Sequence, residues 1–332
     1  MKYTLAALID ALLGASVGAL LVHTIVPSLF EIPASVWGLT DTAVTLAGAV
    51  VFLLAGLVRK ASLGRLFFGL EVPATSRSLV ANIGWFTLSA YITGGWIITT
   101  ISPIEFLSGE GLKGAGRIFG ALVSPEFDVI GEALAAMVVT IFTAFMATVV
   151  AVPLSFVLSF PAARNVMSQG TASKAIYIVL RVILNIMRSM EPIIWAIIFS
   201  VWVGIGPFAG MLALVVHTIA SLTKQYSEQI EDVQSGPIEA ISATGASRLH
   251  VLWFAIVPQC VIPFLSFTIY RWDINVRMAT IIGFVGGGGI GTLLTQYQGL
   301  AKYNEVGTLV ILITAVVWIL DVVSARVREA LR

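Results

Sequence analysis

Apolar runs of about twenty residues, separated by short polar links, recur along almost the whole chain. They fall at 5–26, 41–58, 82–101, 131–160, 175–203, 208–222, 251–270 and 305–323. An α-helix rises ~1.5 Å per residue, so roughly 20 apolar residues cross the ~30 Å hydrocarbon core of a bilayer. The pattern predicts an all-α polytopic membrane protein with about eight transmembrane helices. The first run follows Lys2 and exceeds the ~7–15-residue core of a signal peptide, so it reads as a retained helix. Asp10 and His23 interrupt that run and are expected at its ends, reaching the interface. Gly14 and Gly18 form a GxxxG pair, which permits close helix contact. The run at 175–203 is expected as one long helical stretch, amphipathic in its first half and deep over 193–203. Arg188 and Glu191 are three apart on it and can pair. Gly204, Ile205, Gly206 and Pro207 form a tight turn. His217 stands among Leu, Val and Thr and is expected as a satisfied core histidine.

The polar links carry the finer signals. The link at 235–258 reads as a short helix, a break, then a membrane helix. Pro237 suits a first helical position, with Gly236 or Ser235 capping before it. Ile238 to Thr244 makes about two turns, Gly245 supplies a left-handed end, and Ser247 can cap the helix that enters the membrane through Leu249, Val251, Leu252 and Trp253. A second link, 283–291, is rich in glycine. Gly286, Gly288 and Gly291 satisfy GxGxxG, yet no βαβ context or acidic residue at the required offset accompanies them, so a dinucleotide site is excluded. Between two spans, such a run suits a bent or re-entrant segment or plain helix-packing glycine. The links at 59–77 and 102–128 are polar, and the second is read as an external loop.

Composition narrows the class. Of 332 residues, 58% are hydrophobic and 11% charged, against ~25% charged in soluble domains. A net charge of +1 gives no footprint for a nucleic-acid partner. The single cysteine, Cys260, excludes an internal disulfide and a cysteine-rich metal site. No nucleophile–base arrangement, HExxH or GxxxxGK[ST] occurs, so the chain is read as no enzyme, with no catalytic residue, no metal and no ATP site of its own. Positive charge sets the orientation. With eight crossings, one side holds both termini and Lys2, Arg59, Lys60, Arg65, Arg77, Arg164, Lys174, Lys224, Arg248, Arg326, Arg328 and Arg332. The other holds Lys113, Arg117 and Lys302, with Arg271 and Arg277 at or near the membrane edge. Both termini and the 235–258 link are therefore expected in the cytoplasm. Around that link Glu228, Glu231, Asp232 and Glu239 outnumber Lys224 and Arg248, either as a solvated face or as a surface for a basic groove.

Glu239-Ala240-Ile241, three residues, Gly245, and then Val257-Pro258 resemble the EAA loop of bacterial ABC importer permeases, which reads EAA, three residues, G, nine residues, I, one residue, LP. This chain departs at Ile241, Ala255 and Val257, each time keeping small or apolar character. Tyr270, Arg271, Trp272, Asn275, Val276 and Arg277, then Gly283, Val285, Gly286, Gly288, Gly289, Ile290 and Gly291, resemble the C-terminal part of phosphonate-uptake permeases, with Asp273 in place of the usual Glu. Val203 to Gly210 and His217-Thr218 also resemble that family, and the likeness covers roughly 130–330.

The resemblance implies the transmembrane subunit of an ATP-driven importer for phosphonates or related phosphorus oxyanions such as phosphite and phosphate esters. It implies a permease core at 129–332, with a cytoplasmic coupling helix near 237–245 whose Glu239, Ala240, Ile241 and Gly245 meet the ATPase. Residues 1–128 are then an N-terminal transmembrane extension of about three helices and an external loop. The implied partners are two ATPase subunits that hold ATP and Mg, a second permease copy or paralogue, and a periplasmic or lipid-anchored substrate-binding protein. The implied location is the bacterial inner membrane. Arg271, Asp273, Arg277, Gly286, Gly287, Gly288 and Gly289 become candidates for the pathway or its gate. The arginines suit an oxyanion through their planar forks, and suit equally well an interface anchor or a partner for Asp273. Two alternatives stay open: a permease of the same fold for another solute such as an amino acid, and an ion-coupled secondary transporter. The latter predicts deep carboxylates and inverted repeats.

Overall fold

A computed structural model of the chain describes residues 2–29, 38–58, 60, 62–167 and 170–331. Every regular element among the described residues is helical, as a bilayer demands, because each spanning segment must pair its own backbone groups. The chain divides into two compact units, 1–112 and 113–332.

In the first unit, α1 (Lys2–Leu20) runs through a π-helical turn, Leu21–Ile25, to Val26–Leu29, and packs on α2 (Leu39–Val58). A Cβ on Gly14 would lie 2.2 Å from the Gly48 carbonyl oxygen, and one on Gly18 would lie 2.8 Å from that of Val44. The GxxxG pair is therefore the seam, where absent side chains let two backbones approach. Asp10 and His23 do not sit at the ends of the run. Asp10 is 3% exposed, and its Oδ1 accepts the Gly64 N–H at 2.9 Å. That N–H belongs to the first turn of the short helix Leu63–Phe67, where backbone donors lack partners and favour a negative group. His23 lies inside the π-helical turn. The third expected span becomes α3 (Arg77–Ile98), with Trp85 and Trp96 exposed. Its 22 residues are long enough to cross, but Asn82, Thr87, Ser89, Thr93 and three glycines leave it short of the apolarity of the other spans.

Leading into the second unit is α4 (Gly109–Val123), which is helical despite its glycines and exposes Leu112, Phe119 and Val123. The expected polar loop at 102–128 is thus largely a helix. Then follow α5 (Ile130–Ser159), α6 (Thr171–Ser189) and α7 (Pro192–Val203). The expected single stretch at 175–203 is broken: α6 and α7 meet at 89°. Pro192 is the cause. It cannot continue the hydrogen-bond ladder and it pushes the residue before it out of the α region; Glu191 is extended, with φ −63° and ψ 146°. The bend also removes the helical spacing that would join Arg188 to Glu191, and they form no ion pair among the described residues.

The unit continues with α8 (Pro207–Glu231), α9 (Ser235–Ala243), α10 (Val257–Ile282), α11 (Gly289–Gly299) and α12 (Tyr303–Ala330). Its main core lies where α5, α8 and α10 meet. There Ala144, Ala147, Ala213 and Ala279 are buried with Leu214, Val276 and Ile282. Small residues suit such seams, because lipid supplies no hydrophobic drive between helices and close packing must hold them. A polar tie crosses the same core: Asn275 Nδ2 donates to Thr148 Oγ1 at 2.9 Å and to Thr218 Oγ1 at 3.0 Å, linking all three helices. Phe142, Val201 and Trp202 are exposed, which fits a lipid-facing surface.

Six helical segments among the described residues are long and apolar enough to cross a membrane, or seven if the bent α6–α7 pair is one crossing. The expected count of about eight needs α3 as well. Arg59 and Arg332, part of the charge argument, lie outside the described residues.

Candidate functional site

The coupling-loop sequence forms a short exposed helix. α9 starts at Ser235, two residues before the expected Pro237, and Gln234 occupies the cap position with no side-chain cap. Instead, the Gln234 N–H donates to Gln259 Oε1 at 3.1 Å, tying the start of α9 to α10. Glu239 and Ala240 are exposed and Ile241 is half-buried. The helix ends as expected. Thr244 N–H donates to Ile241 O at 3.2 Å, Gly245 N–H donates to Ser242 O at 3.1 Å, and Gly245 has φ +77°. That left-handed conformation costs glycine no side-chain clash. Ser247 precedes the next helix but does not cap it; its hydroxyl bonds His250 Nδ1 at 2.6 Å.

What holds α9 in place was not legible from spacing. Arg181 on α6 donates from Nη2 to Glu231 Oε1 at 2.7 Å and from Nε to the Ala162 carbonyl at 3.0 Å. The Arg164 N–H reaches the same Glu231 oxygen at 2.7 Å, and Asn165 Nδ2 donates to the Ile230 carbonyl at 2.7 Å. The last turn of α8, immediately ahead of α9, is thus clamped to α6 and to the 160–166 turn. The same pairs thin out the acidic surface. Glu231 is taken by Arg181 and Glu228 by Lys224 at 3.5 Å. Asp232 and Glu239 remain exposed, with no ion pair among the described residues.

The glycine run joins α10 to α11 through a 3-10 turn, Gly283–Val285. It is wedged against neighbouring side chains and tied to one neighbouring backbone. Gly206 N–H donates to Gly286 O at 2.8 Å. A Cβ on Gly287 would lie 2.2 Å from Ile282 Cγ2, one on Gly288 2.6 Å from Pro207, and one on Gly289 2.3 Å from Thr140 Oγ1. That hydroxyl accepts the Ile290 N–H at 2.9 Å. Gly288, at φ +75°, sits at the N-terminal cap of α11.

The charged residues before this run separate into two groups. Arg277 pairs with Asp273, one turn away on α10; Asp273 is 1% exposed and its Oδ1 has no hydrogen-bond partner. Arg271 points elsewhere. It is 7% exposed, donates from Nη2 to the His217 carbonyl at 3.3 Å, and its Nε is buried without a partner. His217 is half-buried rather than a satisfied core residue, because its Nδ1 also lacks a partner. Among the described residues, no group of three or more His, Cys, Asp or Glu side chains could hold a metal ion.

The family model described as the binding-protein-dependent transport system inner membrane component matches residues 166–332. The phosphite transport system permease protein PtxC of Stutzerimonas stutzeri is 33% identical over 234 residues, covering 70% of this chain and 83% of that protein. The phosphate-import permease protein PhnE of Mycolicibacterium smegmatis is 30% identical over 264 residues, covering 78% of this chain and 48% of that protein. An inward-facing structure of the methionine ABC transporter MetNI shares the fold, with a TM-score of 0.50 at 22% identity, covering 61% of this chain and 96% of that one. The match at 166–332 takes in α9, the Arg271–Arg277 stretch and the glycine run. The chain therefore belongs to the family of binding-protein-dependent transport system inner membrane components, the permease subunits of ABC importers.

Proposed function

We propose that this permease carries phosphonates or related phosphorus oxyanions, phosphite and phosphate esters among them, into the bacterial cytoplasm at the expense of ATP hydrolysed by partner subunits. The observation that carries the cargo is the 33% identity to a phosphite transport permease across 70% of the chain. The coupling element is α9. It is short, exposed, ended by a left-handed glycine, and fixed at its base by Gln259 and the Arg181–Glu231 clamp. A rigid element of that kind transmits a push. Glu239, Ala240, Ile241 and Gly245 meet a groove on each of two ATPase subunits, which hold ATP and Mg. Two permease chains, identical or paralogous, enclose the path, and a periplasmic or lipid-anchored binding protein delivers the cargo. Residues 129–332 form the permease core and 1–128 an extension. If α3 and the α6–α7 pair each cross the inner membrane, the crossings number eight, and both termini and α9 share the side that the positive charges assign to the cytoplasm. Arg271, Asp273, Arg277 and Gly286 to Gly289 belong to the pathway wall or its gate.

The rival with the same fold carries an amino acid or another small solute. Titrating the binding protein recovered with the detergent-extracted complex separates the two. The expected result is a preference of about a hundredfold or more for phosphonate, phosphite or phosphate over methionine. A site built for hydrogen-bonded oxygens discriminates on that scale or beyond. Preference for the amino acid contradicts the assignment.

A further inference from the structure

The first unit carries an open groove of about 630 Å³ between the short helix Leu63–Phe67 and α3. Clefts that hold small molecules span ~300–1,000 Å³. Arg77, Val80, Ala81, Gly84, Trp85 and Leu88 form its α3 wall. Their spacing of three and four places them on one face of the helix, and Asn82, Ser89 and Thr93 fall off that face. Leu63, Leu66 and Leu70 form the facing wall. Gly84 leaves room between the walls: a Cβ there would meet Leu63 Cδ2 at 3.5 Å, an ordinary contact. Two charged side chains line the groove, Arg77 and Glu71. Both are exposed, and neither forms an ion pair among the described residues.

The charge is confined to one end. Arg77 is the first residue of α3, and Glu71 lies in the link before it. From Arg77 to Leu88 the α3 wall advances eleven residues, about 16 Å along the axis. That is half of the ~30 Å hydrocarbon core, the depth of one leaflet. An apolar groove one leaflet deep, with a cation and a carboxylate at its mouth, complements a zwitterionic phospholipid. The planar fork of Arg77 suits the phosphate, and the Glu71 carboxylate suits a cation that carries N–H donors. We propose that this groove binds phosphatidylethanolamine, with an acyl chain along α3, the phosphate at Arg77 and the ammonium at Glu71. The proposal concerns the first unit alone and is independent of the cargo.

Other phospholipids fit the mouth less well. Phosphatidylcholine has a methylated ammonium with no N–H for Glu71. Phosphatidylglycerol has a net negative charge and no cation to set against that carboxylate. A surplus of basic residues near the membrane face favours anionic lipid in general, but the nearby cations are directed elsewhere. The Arg65 guanidinium stacks over the Tyr3 ring at 5.4 Å, and Lys60 borders a separate groove with Pro73 and Leu79. Arg77 and Glu71 therefore set the headgroup preference of this groove.

The test uses the full chain, with whatever partners it retains, extracted in mild detergent. It is incubated with equal amounts of phosphatidylethanolamine, phosphatidylcholine and phosphatidylglycerol of identical acyl chains, and the lipid retained after gel filtration is counted by mass spectrometry. Phosphatidylethanolamine is expected to be retained about fivefold over each of the others, the scale of one charge contact near the membrane face. Equal retention of all three means ordinary solvating lipid and overturns the proposal, as does a preference for phosphatidylglycerol. Glu71→Gln is expected to lower the ratio of phosphatidylethanolamine to phosphatidylcholine about fivefold, and Arg77→Gln to lower retention of phosphatidylethanolamine by a similar factor. Both residues are exposed, so neither substitution touches the core. An unchanged ratio or an unchanged retention, respectively, contradicts the headgroup placement. Gly84→Leu fills the groove and leaves both charges in place. It is expected to lower retention of phosphatidylethanolamine several-fold, and undiminished retention puts the lipid elsewhere and overturns the site.

Discussion

Glu239→Lys is expected to reduce ATP-driven uptake by at least about tenfold and to weaken ATPase capture in parallel, with the helical content of the chain unchanged. Glu239 is exposed on α9 and has no ion pair among the described residues, so folding does not depend on its charge. Surface substitutions of that kind usually shift stability by about 0.5 kcal/mol or less. The effect falls on the partner contact. With Glu228 and Glu231 engaged by Lys224 and Arg181, Glu239 and Asp232 carry the free negative charge of this surface. Placing a cation against a basic groove costs several kcal/mol, and each ~1.4 kcal/mol is a tenfold change. Co-purified ATPase per permease and the uptake rate measure it. Normal capture with normal uptake would remove α9 from the coupling interface.

Gly291→Ala is the substitution expected to harm the fold most. A Cβ there would lie 1.9 Å from the Thr280 carbonyl oxygen and 2.9 Å from the Gly283 Cα. Both obstacles are backbone, so no side chain can swing away. Overpacking of this kind costs typically ~1–3 kcal/mol or more, and a backbone obstacle belongs at the upper end. The midpoint of thermal unfolding in detergent is expected to fall by about 10 °C. Gly131→Ala, where nothing lies within 4 Å, serves as the matched control and should leave it unchanged. Equal midpoints for the two variants would mean that α10 and α11 do not pack as described.

Local rules carried most of the architecture. Span length and apolar composition located the long helices, and the glycine that ends α9 was legible because one left-handed residue stops a helix wherever it stands. The EAA spacing marked α9 itself. The errors arose where geometry overrode composition. The run at 175–203 stayed apolar across Pro192, so its hydropathy hid an 89° bend; the proline was the available signal. Asp10 was read as an end residue, because no local rule shows that the chain returns to place the Gly64 N–H against it. Arg181 and Glu231 are 50 positions apart, beyond any local pattern. In the glycine run the motif was visible, but its reason was not. Those residues are small because Pro207, Thr140 and Ile282 press on them. Of the paired arginines, Arg277 took the partner that the i, i+4 spacing offers, while Arg271 was left to the α8 side.

We propose that ATP, acting through partner subunits, drives this permease. The most direct measurement is uptake into proteoliposomes holding the permease, its ATPase and its binding protein, with ATP either enclosed on the ATPase side or absent, and proton and sodium gradients collapsed by ionophores. Uptake is expected to require ATP and to survive the ionophores. Uptake that proceeds without ATP and stops when a gradient is collapsed would contradict it.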